Sequence, residues 1–229
     1  MIERTRHLLC RAALVCVLLA AVTLTACGGG DDGPSDLPPL GRDGTALDAG
    51  EYRTTKFTPR TTFEVEEGWA TASPELPDYF DIVRDKRAFA AVVFQRITTV
   101  VPPKSPDDVV AAPADLVSWL RKHPNLTVGA SKKTRVGGRP ATQLDVRVKQ
   151  AVPRKERPDS CDAPCLPLFE PSDGTPVSYA PKDQLRFVVL ESRGGQVPVT
   201  ITIAAPSSDF ARFEPQAKKV LSTVKFARG

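Results

Sequence analysis

Histidine is nearly missing from this chain. Two histidines occur in 229 residues, and one of them, His7, lies in the N-terminal leader described below. A serine hydrolase needs a histidine beside its nucleophile, and the G-x-S-x-G turn that often presents the serine does not occur. A metal site would need further ligands grouped with His123. We therefore predict no catalytic triad and no metal centre. We expect His123 to be a cation near the last carbonyls of a helix, with a ligand or catalytic role as the alternative.

Glycine-rich phosphate loops and dense basic patches are also missing. Neither Gly137-Gly138 nor Gly194-Gly195 is followed by a helix pattern that could point amide groups at an anion. The basic residues are scattered, with no dense cluster beyond pairs such as Lys132-Lys133. The sequence therefore predicts no cofactor and no nucleic-acid partner.

The third shortage is of long apolar runs. Residues 12–24 carry no charge, but 13 residues of helix rise only about 20 Å, less than the roughly 30 Å hydrocarbon core of a bilayer. This run follows a basic segment that carries Arg4, Arg6 and Arg11 against Glu3 alone. The order predicts a secretion signal over residues 1–26.

The signal ends in Leu24-Thr25-Ala26-Cys27, which resembles the cleavage motif of bacterial lipoproteins. The resemblance implies that Cys27 is alkylated with a diacylglyceryl group and becomes the first mature residue. The protein would then be anchored by lipid to the cell membrane on its extracytoplasmic side. The alternatives are an ordinary secreted protein cut nearby and an N-terminal anchor helix. Removal of the signal leaves 28 basic and 26 acidic residues, a net charge of about +2.

The mature chain begins with a polar stretch rich in glycine and aspartate. We predict a flexible linker over residues 27–50 and one folded domain over residues 51–229. Only Cys161 and Cys165 remain besides Cys27, and an even pair in an exported chain predicts a disulfide. This bridge would pin a proline-rich surface excursion, residues 153–176. A redox-active dithiol and a metal site are the alternatives.

Period-two alternation and glycine turns predict antiparallel strands in the domain. "TTFEVE" (61–66) and "AFAAVVFQRI" (88–97) have strand patterns, and β-rich runs flank both glycine pairs as hairpins. Two helices are predicted, one beginning at Pro113 and ending before Pro124, the other near residues 209–222. The expected class is α+β, with an antiparallel sheet of about six strands and helices packed on its faces.

The order of these elements resembles the PsbP-like fold of photosystem accessory proteins and of actinobacterial lipoproteins of the LpqN kind. The resemblance rests on "TTFEVEEGW", a central helix, two glycine-turn hairpins and a C-terminal helix that runs into "LSTVKF". It implies the sheet described above and brings no catalytic residues.

The tether and the missing catalytic motifs favour a non-catalytic binding or accessory module of the cell envelope. Its partner would be an envelope protein, a lipid or a glycan, besides the membrane itself. The alternative is an envelope hydrolase that uses paired carboxylates, for which "PDYFDIVRD" offers Asp78, Asp81 and Asp85. We expect these three acids to be solvated surface residues.

Overall fold

The computed structural model describes residues 36–85, 89–103, 105, 108–154, 161, 163–192 and 195–227, so that the predicted signal and Cys27 lie outside it. Within these residues the chain forms sixteen strands and two helices. The strands in chain order are β1 (Ala46–Leu47), β2 (Gly50–Arg53), β3 (Thr61–Val65), β4 (Trp69–Thr71), β5 (Tyr79–Asp85), β6 (Ala90–Arg96), β7 (Thr99–Val100), β8 (Val110–Ala111), β9 (Leu126–Val128), β10 (Lys132–Val136), β11 (Arg139–Val148), β12 (Leu166–Phe169), β13 (Val177–Tyr179), β14 (Asp183–Leu190), β15 (Val199–Pro206) and β16 (Lys225–Phe226). The helices are α1 (Leu116–Lys122) and α2 (Phe210–Thr223).

The largest sheet has nine strands, eight of them in the order β1-β4-β5-β6-β15-β14-β11-β10, with β9 paired to β11. Its neighbouring strands are antiparallel. The α+β class with an antiparallel sheet is confirmed, but the sheet is larger than the six strands predicted. The reason is that β1 and β9 contain two and three residues, too few to show an alternating pattern. Their backbone hydrogen bonds nevertheless extend the sheet.

Both faces of this sheet are covered at its centre, around β15. On β15, Val199, Ile201 and Ile203 point to one face, Thr200 and Thr202 point to the other, and none is more than 1% exposed. Phe210 and Phe213 of α2 pack in the same core as Ile201. Leu116 and Leu120 of α1 pack instead with Leu144 and Phe187, which point to the opposite face. The helices therefore lie on opposite faces of the sheet, as predicted.

Two smaller sheets complete the fold. One has the order β13-β12-β7-β8 and the other the order β16-β3-β2. The predicted hairpin at Gly137-Gly138 is present, because Val136 pairs with Arg139 across a two-residue turn. The second predicted hairpin is also present as β14 and β15, but its last pair is Val189 with Thr200 and its connection is longer than two residues.

The helix boundaries differ slightly from those predicted. α1 begins at Leu116 rather than at Pro113, because the Asp115 carboxylate caps the helix by accepting the Ser118 backbone N–H at 2.8 Å. α2 lies within one residue of its predicted range and contains Pro215. No helix in the described part of the chain is long and apolar enough to cross a membrane.

Residues 36–50 are packed against the domain, although the sequence predicted them to be the end of the flexible linker. Leu40 and Leu47 are 9% and 3% exposed and belong to the main core. The backbone N–H of Leu40 donates to Arg53 O at 3.0 Å, and β1 pairs with β4. The polar residues between the two leucines concealed this packing, so the folded body begins before residue 51.

Candidate functional site

An open cleft of about 870 Å³ lies between the β5 side of the large sheet and the proline-rich excursion. Tyr79 and Asp81 of β5 form part of its floor. Val177 and Ser178 of β13 form part of the opposite wall. The Cys161–Cys165 disulfide, with Cα atoms 6.2 Å apart, lies at the edge of the cleft. The predicted bridge is thus present in the structure, where it fixes a segment that shapes the cleft.

The polar floor of the cleft follows from strand geometry. Alternate residues of β5 point to opposite faces, so that Phe80 and Ile82 enter the main core while Tyr79 and Asp81 point towards the cleft. Across the sheet, Tyr79 pairs with Gln95 and Gln95 pairs with Thr200. In the neighbouring row, Asp81 pairs with Val93 and Val93 with Thr202. The row Tyr79-Gln95-Thr200 is therefore polar, whereas the buried apolar Val93 separates Asp81 from Thr202 in the next row.

Asp81 is only 2% exposed and is hydrogen-bonded on both carboxylate oxygens. Its Oδ1 accepts the Ala72 backbone N–H at 3.1 Å, and its Oδ2 accepts the hydroxyls of Ser73 at 3.0 Å and of Tyr79 at 2.8 Å. These three donors compensate part of the cost of burying a carboxylate.

Asp78 is also buried, at 9% exposure, but binds a different segment. Its Oδ1 accepts the Ser172 hydroxyl at 2.7 Å and its Oδ2 accepts the Ser172 backbone N–H at 2.9 Å. The expectation that Asp78 and Asp81 are solvated was wrong, because each lies where a neighbouring loop supplies hydrogen-bond donors. The Asp85 side chain is not among those described. Asp78 and Asp81 thus hold separate loops and do not share a donor.

Asp183 provides a second buried carboxylate in the cleft, at 7% exposure. Its Oδ2 accepts the Ala180 backbone N–H at 2.9 Å. Burial raises the pKa of this carboxyl group, although the Ala180 hydrogen bond and the charge of Lys182 act in the opposite direction.

Two buried tyrosines stand beside these carboxylates. Burial raises the pKa of Tyr79 well above its ordinary value, and the charge and hydrogen bond of Asp81 raise it further. Burial also raises the pKa of Tyr179, with smaller contributions from the charges of Asp183 and Asp81. Both phenols therefore stay protonated at neutral pH, and the Tyr79 hydroxyl donates its hydrogen bond to Asp81.

The charge of the cleft is opposite in sign to that of the chain. Its described lining contains four aspartates against the single basic residue Lys182, whereas the whole chain has a net charge of +4. The four aspartates are Asp43, Asp81, Asp173 and Asp183. Such a local excess of carboxylates repels anionic ligands.

His123 ends α1 but is not the cation that the sequence predicted. It is 4% exposed, and burial lowers its pKa to about 4, so that the ring is neutral at pH 7. Its Nδ1 accepts the Asn125 backbone N–H at 3.3 Å, which assigns the ring proton to Nε2. The ring packs edge-on against Trp119 with centroids 5.0 Å apart. In the described ranges, no three His, Cys, Asp or Glu side chains are grouped as a metal ion would require.

The sequence offered Asp81 as one of three candidate acids but predicted it to be solvated, and it offered neither Asp183 nor Tyr179. The alternation of Phe80 and Ile82 with Asp81 was a local signal that Asp81 points away from the main core. Asp183 and Tyr179 had no such signal, because the return of the excursion over the sheet brings them near β5. Only the three-dimensional arrangement places these residues near one another.

No family model matches this chain. No curated protein matches it either. Among solved structures, it is similar to the crystal structure of LpqN, which is involved in cell envelope biogenesis of Mycobacterium tuberculosis, with 12% identity and a TM-score of 0.39 over 80% of this chain and 87% of that chain. It is also similar to the solution structure of cyanobacterial PsbP from Synechocystis sp. PCC 6803, with 12% identity and a TM-score of 0.41 over 82% of this chain and 98% of that chain.

Proposed function

We propose that this chain is a lipid-anchored, extracytoplasmic accessory protein that binds a component of the cell envelope in the cleft beside β5. The observation that carries the binding role is the cleft itself, which combines apolar walls with a few buried polar groups. The anchor is supported by the basic leader, the short apolar run and the position of Cys27 directly after them.

The hydrogen bonds of the carboxylates favour binding over hydrolysis. A hydrolase of the predicted kind needs two carboxyl groups facing one reacting bond. Asp78 instead holds Ser172, and Asp81 holds Ala72, Ser73 and Tyr79. These contacts support a structural role for both acids, and Asp81 has that role in the lining of the cleft.

Fatty-acid labelling tests the anchor. We expect the parent protein to incorporate labelled palmitate and Cys27→Ser to incorporate none, because the thiol is the predicted attachment atom. Cys16→Ser, inside the leader, is the matched control and should be labelled like the parent. Equal labelling of Cys27→Ser and the parent would refute the anchor.

Photo-cross-linking in cells tests the binding role of the cleft. Thr175 is exposed and lines the cleft. A photoreactive residue at this position should form a covalent adduct with the bound envelope component, and the adduct should have a larger mass than the protein alone. The same residue at exposed Thr127, which is not among the lining residues, is the control. Ala163→Trp, at an exposed position in the lining, should remove the Thr175 adduct by filling the cleft. Similar adducts from both positions, or an adduct that survives Ala163→Trp, would contradict cleft binding.

We also propose that the domain belongs with the PsbP-like proteins. The order of a central helix, two hairpins and a C-terminal helix followed by β16 supports this relationship. A crystal structure that superposes on a PsbP-like protein across the nine-stranded sheet and both helices would establish it, and a different strand order would exclude it.

A further inference from the structure

Asp183 differs from the other buried acids of the described chain in how its carboxylate is satisfied. Four acids are at most 9% exposed, namely Glu75, Asp78, Asp81 and Asp183. The first three accept hydrogen bonds on both carboxylate oxygens. Asp183 accepts only the Ala180 backbone N–H, on Oδ2, and within the described residues its Oδ1 has no donor. This carboxylate therefore has an unoccupied acceptor.

The unoccupied oxygen is accessible from the cleft that Asp183 lines. The residue is 7% exposed, and Oδ1 is not among the fully buried atoms without a partner, so that it contacts solvent. The exposed side chain of Lys182 acts on this carboxylate through its charge and does not hydrogen-bond it. The burial of a carboxylate is costly unless donors or an opposite charge offset it. A cationic donor that enters the cleft would supply both.

Exposed carboxylates extend the negative charge of the cleft. Asp43 and Asp173 are exposed and belong to its lining. Together with Asp81 and Asp183 they make four acids against Lys182 alone in the described lining, within a chain whose net charge is +4. A cleft lined by charges of one sign raises the local concentration of ligands of the opposite sign. The cleft is therefore complementary to a cationic ligand.

Apolar side chains accompany these carboxylates in the lining. Phe89 is 38% exposed, and its φ of +47° is rare for an aromatic residue and tends to persist where it serves a site. Leu76 and Val177 are partly buried beside it in the same lining. An aromatic face attracts an apolar side chain or a cation. Lysine and arginine fit such a lining, because each carries its charge at the end of an apolar stem.

The size and one wall of the cleft favour a peptide over a free amine. The volume of about 870 Å³ lies towards the upper end of the range for ligand clefts, roughly 300 to 1,000 Å³, so that a single basic group fills only part of it. β13 contributes Val177 and Ser178 to the lining and, within the described residues, pairs with another strand on one edge only. An extended peptide can hydrogen-bond the other edge of such a strand, which a small amine cannot do.

We propose that the cleft binds a lysine- or arginine-bearing peptide segment of an envelope protein, with the cationic group on Asp183 Oδ1. Apolar neighbours of the basic residue would contact Phe89, Leu76 and Val177, while Asp43 and Asp173 attract the segment to the cleft. This proposal rests on the proposed binding function and names the class of partner.

Fluorescence anisotropy of labelled hexapeptides, with the purified full chain in detergent micelles and detergent alone as the blank, tests the partner class. The peptides carry apolar residues and serines in random order around one variable residue. This residue is lysine or arginine in the first pool, glutamine in the second and glutamate in the third. We expect the basic pool to bind, the glutamine pool to bind about tenfold more weakly or less, and the glutamate pool not to bind. Equal binding of the basic and glutamine pools, or no binding of any pool, would overturn the proposal.

Competition distinguishes a peptide from a small amine. Cadaverine, a free diamine, and a trisaccharide of glucosamine are the competitors. We expect each to displace the basic peptides only at concentrations well above that of the peptide, because neither supplies the apolar side chains or the extended backbone. Displacement at equal concentration would assign the cleft to a small amine or an amino sugar and refute the peptide.

Asp183→Asn tests the assigned carboxylate with nearly unchanged shape. The carboxamide oxygen can still accept the Ala180 N–H, while the negative charge is lost. We expect the basic peptides to bind about tenfold more weakly or less. The urea midpoint of unfolding should stay equal or rise, since a neutral group replaces an incompletely satisfied buried carboxylate. Unchanged peptide binding by this variant would overturn the assignment of Asp183.

Two exposed substitutions test the charge of the cleft without altering a buried residue. Lys182→Gln removes the single basic group of the described lining and should tighten binding of the basic peptides about two- to fivefold. Asp43→Asn should weaken it by a similar factor. Asp48→Asn changes an exposed aspartate outside the lining and is the control, for which we expect the affinity of the parent. Equal affinities of all three variants and the parent would refute a cationic partner.

The two proposals can fail separately. If no peptide pool binds but the Thr175 cross-link still forms and is removed by Ala163→Trp, the cleft binds a different class of envelope component. If the cleft-specific cross-link is also missing, the binding function itself is wrong.

Discussion

Glu75 accepts a hydrogen bond from the backbone N–H of Phe57 at 2.8 Å, across 18 residues of sequence. The same oxygen, Oε1, accepts the backbone N–H groups of Thr55 and Lys56 at 2.7 and 2.6 Å. Three consecutive amides that converge on one oxygen form an anion-binding nest. Phe57, at 0% exposure, packs edge-on against Phe80 with centroids 4.9 Å apart. Glu75 thus holds in place the loop that delivers an aromatic ring to the core.

We expect Glu75→Gln to lower the free energy of unfolding by about 1.5 to 3 kcal/mol, because the nest loses its charged acceptor. Urea denaturation followed by far-UV circular dichroism measures this change. Glu64→Gln, on an exposed residue of β3, is the control and should change stability by less than about 0.5 kcal/mol. A Glu75→Gln variant as stable as the parent would show that the amides are satisfied without the charge.

The packing of residues 36–50 gives a second prediction. Leu47 is 3% exposed and lies in the main core, so we expect Leu47→Ala to destabilise the protein by about 2 to 5 kcal/mol. Leu37→Ala makes the same chemical change at a half-buried position and should lower the free energy of unfolding clearly less than Leu47→Ala does. Thermal or urea unfolding of both variants measures the difference. Equal, small effects would mean that this segment is not part of the folded body in solution.

His123 predicts a pH dependence of stability. Its pKa is about 4 in the folded protein because of burial, against 6.5 for an unperturbed histidine. Between these values the unfolded chain binds a proton that the folded protein does not, so this residue lowers stability as the pH falls from 6.5 towards 4. Above pH 6.5 it has no such effect.

His123→Gln, which cannot titrate, isolates this contribution. We expect the parent to lose more stability than the variant between pH 6.5 and 4, measured as the urea midpoint at each pH. Any loss of packing against Trp119 should lower the urea midpoint of the variant by the same amount at all pH values. The two proteins should still differ in how steeply the urea midpoint falls with pH. Parallel pH profiles of the two proteins would contradict a buried neutral histidine.

The disulfide predicts that Cys161 and Cys165 of the folded protein do not react with thiol reagents under non-reducing conditions. Replacing both cysteines by alanine should lower the free energy of unfolding by about 2 kcal/mol, which is the value that the chain-entropy model gives for a loop this short. Thiol titration and urea unfolding measure these two effects. Two reactive thiols in the folded protein would show that the bridge does not form.

Two kinds of strand could be predicted from sequence: those whose side chains alternate, such as β3, and those with a continuous run of β-rich residues, such as β6. The Gly137-Gly138 turn also indicated how β10 and β11 pair. Leu47 and Asp183 could not be placed, because each is buried by strands distant in sequence. The three aspartates of "PDYFDIVRD" have the residue types of a catalytic pair, but only their partners distinguish a base from a buried structural acid.

The sequence by itself determined the antiparallel class and the two helices, since each depends on composition or on spacing along a short stretch. Tertiary structure alone decided that the sheet has nine strands, that His123 is neutral and that Tyr179 lies over Gln95 and Thr202. The physical reason is that burial and hydrogen bonding depend on which distant segments meet, and those contacts control both the pKa values and the surface available to a ligand.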